Sequence, residues 1–274
     1  MARPEPEPLA PETDHQTRAP LARAARATKL ALAFLTVIPL GRADDAPATE
    51  ADLVASRFAY PFVGCAVGLL MAALSEALRH VGVSAAVSAF ILVAFLAILT
   101  GGLHLDGLAD TFDGLFLWGG ADRRLAVMRD PHIGSHGVSA IALVLLGKYA
   151  VLADLNGSGR SLALLGAVAV SRTLILVSAG LARYARPQGT GRLVIEATTR
   201  RDALAATFAC LALASAVAGS PGLIAGLGAL ILAFAFTRLA VRRLGGVTGD
   251  ILGATVELGE LAFLVGFSLS LGLR

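Results

Sequence analysis

Cysteine is almost absent. Cys65 and Cys210 are the only two in 274 residues, and both stand in apolar runs. That leaves no disulfide framework and no thiolate spacing for a metal, and each reads as a small packed hydrophobe. Charge is scarce too: Asp, Glu, Lys and Arg make up 16% of the chain, against about 25% in an average soluble domain. Aromatic residues reach only 6%, with a single Trp. No basic stripe interleaved with aromatics exists, which excludes nucleic acid as a partner. Also missing are a Gly-x-Ser-x-Gly elbow, a Walker-type loop, a His-Glu-x-x-His helix and a Cys/His nucleophile pair.

Hydrocarbon fills the space left by charge. The chain is 56% hydrophobic, its mean hydropathy is +0.73, and its apolar residues fall in runs near the 20 needed to cross a bilayer. Spans are expected at residues 58–78, 83–101, 137–155, 161–182, 203–219, 221–240 and 255–273. The fold class is therefore all-α, a polytopic membrane bundle of about seven spanning helices. Residues 24–39 are too short an apolar segment to span. They follow Arg18, Arg23, Arg26 and Lys29 and read as an interfacial or re-entrant helix. Glycine and alanine inside the runs suit helices that must approach closely in lipid. Residues 1–22, rich in Pro and Glu, are expected to be a disordered tail without signal-peptide character. Residues 23–274 read as one integral-membrane domain.

The long polar connections, 102–136, 183–202 and 241–254, carry most of the interior charge. With seven spans they share one side with the N-terminus. Arg123, Arg124, Arg129, Arg183, Arg186, Arg192, Arg200, Arg201, Arg242 and Arg243 mark that side as cytoplasmic by the positive-inside rule.

Three motifs lie in those connections. In the first, Asp106, Asp110 and Asp113 follow the apolar run Ala85–Leu99. On a helix they occupy i, i+4 and i+7, within about 60° of one another. Like charges so placed repel, and a hard divalent cation (Mg²⁺, Mn²⁺ or Ca²⁺) is the expected counter-charge for an all-oxygen set. The second motif runs Arg129-Asp130-Pro131-His132-Ile133-Gly134-Ser135-His136-Gly137. Its Arg129 suits phosphate through a fork of donors, and zinc is disfavoured for want of a third soft ligand. The third is Gly245-Gly246-Val247-Thr248-Gly249-Asp250, a helix start with Asp250 at its positive end. Seven residues further on, Glu257 shares the Asp250 face. It is an acid costing about 2.5–3.5 kcal/mol at a span centre, and reads as functional. Lys148 and Arg172 lie inside spans, to neutralise buried acids or to bind an anionic substrate. A glycine-punctuated loop around Arg186 also suits phosphate. Acids beside arginines fit metal-assisted phosphorus chemistry.

These residues resemble a known family. The blocks HLDGLADTFDGL, RDPHIGSHG and GGVTGDILGA, with Phe34–Pro39 and Tyr60–Gly64, are similar to the cobalamin (5'-phosphate) synthases, or adenosylcobinamide-GDP ribazoletransferases, over roughly residues 28–270. The resemblance implies a bacterial inner-membrane enzyme whose site faces the cytoplasm. It implies Mg²⁺-dependent transfer, in which a ribose hydroxyl of α-ribazole, or of its 5'-phosphate, attacks adenosylcobinamide-GDP and GMP leaves. Matched position by position, Asp106, Asp110 and Asp250 are expected as metal ligands, and Asp113 as a ligand or as the base. His104, Arg129, His132 and Arg186 are expected at phosphate or corrin, with Lys148, Arg172 and Glu257 as further substrate contacts. Membrane lipid is an expected partner, and self-association is left open. One alternative is a lipid enzyme like the CDP-alcohol phosphotransferases, although Asp110 stands where their motif needs arginine. Another is an ion-coupled transporter, for which matching broken helices would be expected.

Overall fold

The computed structural model describes residues 20–40, 47–189 and 191–272. Most of the tail assigned to residues 1–22 lies outside the described residues, and the first helix already begins at Pro20. Eleven α-helices follow one another among the described residues: α1 (Pro20–Leu35), α2 (Glu50–Ser56), α3 (Tyr60–His80), α4 (Ala85–Leu99), α5 (Leu103–Phe116), α6 (Ala121–Val127), α7 (Ser135–Asp154), α8 (Gly157–Leu181), α9 (Arg192–Ala197), α10 (Arg200–Leu244) and α11 (Gly249–Gly272), with one 3-10 turn at Arg57–Ala59.

Five helical runs are long and apolar enough to cross a membrane: Glu50–His80, α7, α8, α10 and α11. The pair α4–α5, bent by 87°, makes a sixth if its arms are counted together. The expected count of about seven is thus not confirmed. Two features account for the difference. The first is α4, an apolar helix of only 15 residues. The second is α10, whose 45 residues contain non-helical backbone at Ala218 and Gly219. There the chain turns back on itself. A methyl group placed on Gly226 would lie 2.8 Å from the Ala214 Cβ, whereas twelve residues of straight helix cover about 18 Å. Gly219 makes the reversal with φ +60°, and Pro221 opens the second arm, where its missing N–H costs nothing.

At the centre stands α8. In its most apolar stretch 89% is buried by other helices, against 28% in α7. Small residues let the neighbours in. A Cβ on Gly64 of α3 would meet the Ala169 Cα at 3.0 Å, and one on Gly68 the Leu165 carbonyl at 2.8 Å. Without a hydrophobic force between helices in lipid, such close backbone approach supplies the packing energy.

Both ends of α10 return to the C-terminal end of α8. Thr199 lies against Gly180, and the Gly245 carbonyl accepts from Arg183 Nε at 2.9 Å. The three long polar connections therefore gather at one end of the bundle. There α1 also docks, through Val37 N–H to the Leu99 carbonyl at 2.8 Å and Arg26 to Asp52 at 2.9 Å.

Candidate active site

The first and third motifs meet through a glycine seam. A Cβ on Gly107 of α5 would stand 2.8 Å from the Asp250 carbonyl oxygen and 3.1 Å from its Cα, while Gly253 faces His104 and Gly107 across the same contact. Backbone touches backbone, so Asp106 and Asp110, flanking Gly107 on α5, come beside Asp250 on α11. Asp106, Asp250 and Asp113 all lie near enough to repel the Asp110 carboxylate, and Arg186 attracts it. The α11 start is capped as its sequence predicts, with Ile251 N–H donating to Thr248 Oγ1 at 3.3 Å.

Arg186 reaches this group from the loop after α8. Its Nη2 lies 2.9 Å from Asp250 Oδ2 and donates to the Met128 carbonyl at 3.4 Å. The delivery is by backbone pairing. Val247 N–H donates to Arg183 O and Ala185 N–H to Val247 O, each at 2.9 Å, forming one parallel bridge between Tyr184 and Val247. Gly246 lets the strands approach, since a Cβ there would stand 3.1 Å from the Ala185 nitrogen. Burial pushes the neighbouring Tyr184 hydroxyl above its usual range.

The second motif closes over the first. Asp113 is 8% exposed; its carboxylate accepts from Gly134 N–H at 2.7 Å and Gly137 N–H at 2.9 Å, at the start of α7. It thereby satisfies amides that the helix leaves without partners. Arg129 donates to the Gln188 carbonyl at 3.2 Å, joining the second motif to the Arg186 loop. His132 is not brought in. Its side chain is 89% exposed, 2.7 Å from Asp130, in a local turn that points to solvent. The His132 backbone N–H holds the Asp130 carboxyl below its ordinary range.

Lys148, Arg172 and Glu257 form a separate cluster deep in the bundle, all buried. Lys148 Nζ donates to Glu257 Oε2 at 2.6 Å and also to Glu260, which pairs in turn with Arg172. Two acids and two bases cancel, so these residues neutralise one another rather than waiting for an anion. Glu260 is absent from the expected residues. Charge balance is the signal that reveals it, because two buried bases and a single buried acid leave one cation unpaired. His104 lies between this cluster and the acids, 2% exposed, with Nε2 unpartnered.

Among the described residues no three His, Cys, Asp or Glu side chains are gathered closely enough to hold an ion by themselves. The donor set still fits magnesium, which prefers oxygen and binds through one or two carboxylates plus substrate phosphates rather than in an all-protein cage.

Helices of this length, with polar groups collected at one end, define a multi-pass membrane protein with a one-sided acid–arginine site. A family model described as cobalamin-5-phosphate synthase matches residues 27–268, and the chain belongs to that family. It is 41% identical over 209 residues to an adenosylcobinamide-GDP ribazoletransferase of Klebsiella pneumoniae, covering 75% of this chain and 84% of that protein. It is 36% identical over 241 residues to the protein of the same name in Escherichia coli K12, covering 85% and 96%. No solved structure matches. Neither the lipid enzyme nor the transporter finds support in these relatives.

Proposed function

We propose that this chain transfers α-ribazole, or its 5'-phosphate, onto adenosylcobinamide-GDP at the cytoplasmic face of the bacterial inner membrane. A ribose hydroxyl oxygen bonds to the cobinamide-linked phosphorus, the bond from that phosphorus to the bridging oxygen breaks, and GMP departs with the oxygen. The hydroxyl proton passes to a carboxylate, which we assign to Asp110. Asp106 and Asp250 are the residues that would hold magnesium, with Asp110 able to join them. When bound, the cation supplies neutralisation of phosphate charge.

Arg186 and Arg129 orient the diphosphate by charge-assisted hydrogen bonds. Asp113 keeps the second motif seated over the acids as a positioning residue. The arginine-rich end is read as cytoplasmic from the positive-inside rule, and the rest of the bundle is solvated by lipid.

The Gly107–Asp250 seam is the observation that carries this reading, because it brings two aspartate motifs more than a hundred residues apart in sequence into one site. Purified protein with Mg²⁺, α-ribazole and adenosylcobinamide-GDP should release GMP. Chelation of the metal or Asp106→Asn should abolish release while leaving membrane insertion intact. No GMP from folded wild-type protein refutes the transfer reaction, and an undiminished rate in chelator refutes the metal.

A further inference from the structure

Arg186 is only half used. The Nε and Nη2 edge of a guanidinium is a two-pronged fork suited to carboxylate or phosphate. Here Nη2 meets Asp250 at 2.9 Å, yet Nε is buried without a hydrogen-bond partner. A buried donor left unpaired is costly, and the side chain is only 10% exposed. Its loop is held by the Tyr184–Val247 pairing, so a change of partner must come from the side chain. Arg186 also occupies the one acid on α11 that the site needs, and among the described residues no three acids are gathered to hold an ion.

We propose that Arg186 is a placeholder cation. Without substrate it neutralises Asp250. When a diphosphate arrives, the fork leaves Asp250 and takes two phosphate oxygens through Nε and Nη2. Asp250 is then released to join Asp106 in holding the divalent cation. Cation and diphosphate therefore bind cooperatively, and the cation alone binds weakly. This rests on the function proposed above, and deepens it by assigning the order in which the site is assembled.

Mn²⁺ binding to the full-length detergent-solubilised chain, followed by electron paramagnetic resonance, tests it without turnover. Titrations are run with Mn²⁺ alone and with adenosylcobinamide-GDP present but α-ribazole omitted. Wild type should bind Mn²⁺ at least about tenfold more tightly with the diphosphate than without it. Arg186→Gln should bind Mn²⁺ alone about tenfold more tightly than wild type, because its competitor is gone, and should lose most of the gain from the diphosphate. Arg186→Lys, which retains charge but not the fork, should fall between and serves if the glutamine variant does not fold.

Equal Mn²⁺ affinity in wild type and the folded Arg186 variants overturns the placeholder role. If Asp250→Asn still abolishes Mn²⁺ binding in that case, the metal-site reading survives. Failure of Mn²⁺ to bind wild type even with the diphosphate overturns both.

Discussion

Replacing Gly107 with alanine separates the geometry of the site from the stability of the fold. The new methyl would stand 2.8 Å from the Asp250 carbonyl oxygen, 3.1 Å from the Asp250 Cα and 3.3 Å from the Gly253 Cα. All three are backbone atoms that cannot swing aside. Carbon contacts are comfortable at about 3.5–4.0 Å, so α5 must retreat from α11 by roughly 0.5 Å or more. Overpacking of this kind costs about 1–3 kcal/mol, while alanine in place of a mid-helix glycine returns about 1 kcal/mol. The net loss of stability is therefore small, about 0–2 kcal/mol. Activity should suffer more, because the retreat carries Asp106 and Asp110 away from Asp250. Misplacement by 1 Å costs on the order of a hundredfold in rate, so GMP release should fall about ten- to a hundredfold. Thermal melting in detergent should show only a modest shift. Gly228→Ala, on the second arm of α10 with open space around it, is the control and should leave the rate unchanged. Wild-type turnover in Gly107→Ala would refute the claim that this seam sets the spacing of the acids.

Two further outcomes test the surroundings. Asp113→Ala removes the acceptor for the Gly134 and Gly137 amides, at a cost of about 3 kcal/mol for two bonds to a charged group. Amide exchange across residues 134–137 should accelerate and the KM for adenosylcobinamide-GDP should rise; unchanged exchange would count against the anchoring role. Lys148→Met strips Glu257 of its cation and should destabilise the bundle by about 3–5 kcal/mol, whereas Lys148→Met with Glu257→Leu should recover most of the loss. Equal melting temperatures for wild type and the single variant would contradict that balance.

Much of this arrangement is legible in the sequence. Apolar runs place the helices within a few residues, and the break near 219–221 anticipates the reversal of α10, because proline and glycine interrupt the run there. The aspartate blocks announce themselves by charge in a chain that otherwise avoids it, and Arg186 by its glycine-punctuated loop. The partners are less legible. His132 shares a motif with Arg129, yet Asp130 two residues earlier captures its backbone and ring and turns it outward. Glu260 escapes because its meaning lies in Arg172 and Lys148, on two other helices. The Tyr184–Val247 pairing, which brings Arg186 to Asp250, joins segments some sixty residues apart, and no local pattern encodes it.

The reversal at Ala218–Gly219 and the brief joints Val81–Ser84 and Leu155–Asn156 form the pole opposite the aspartates. An ion pair there, Glu76 with Arg79 beside His80, lies at the far end of α3 from the aspartates. Epitope tags spliced into those caps would report sidedness in whole cells while the chemistry proceeds undisturbed at the other pole.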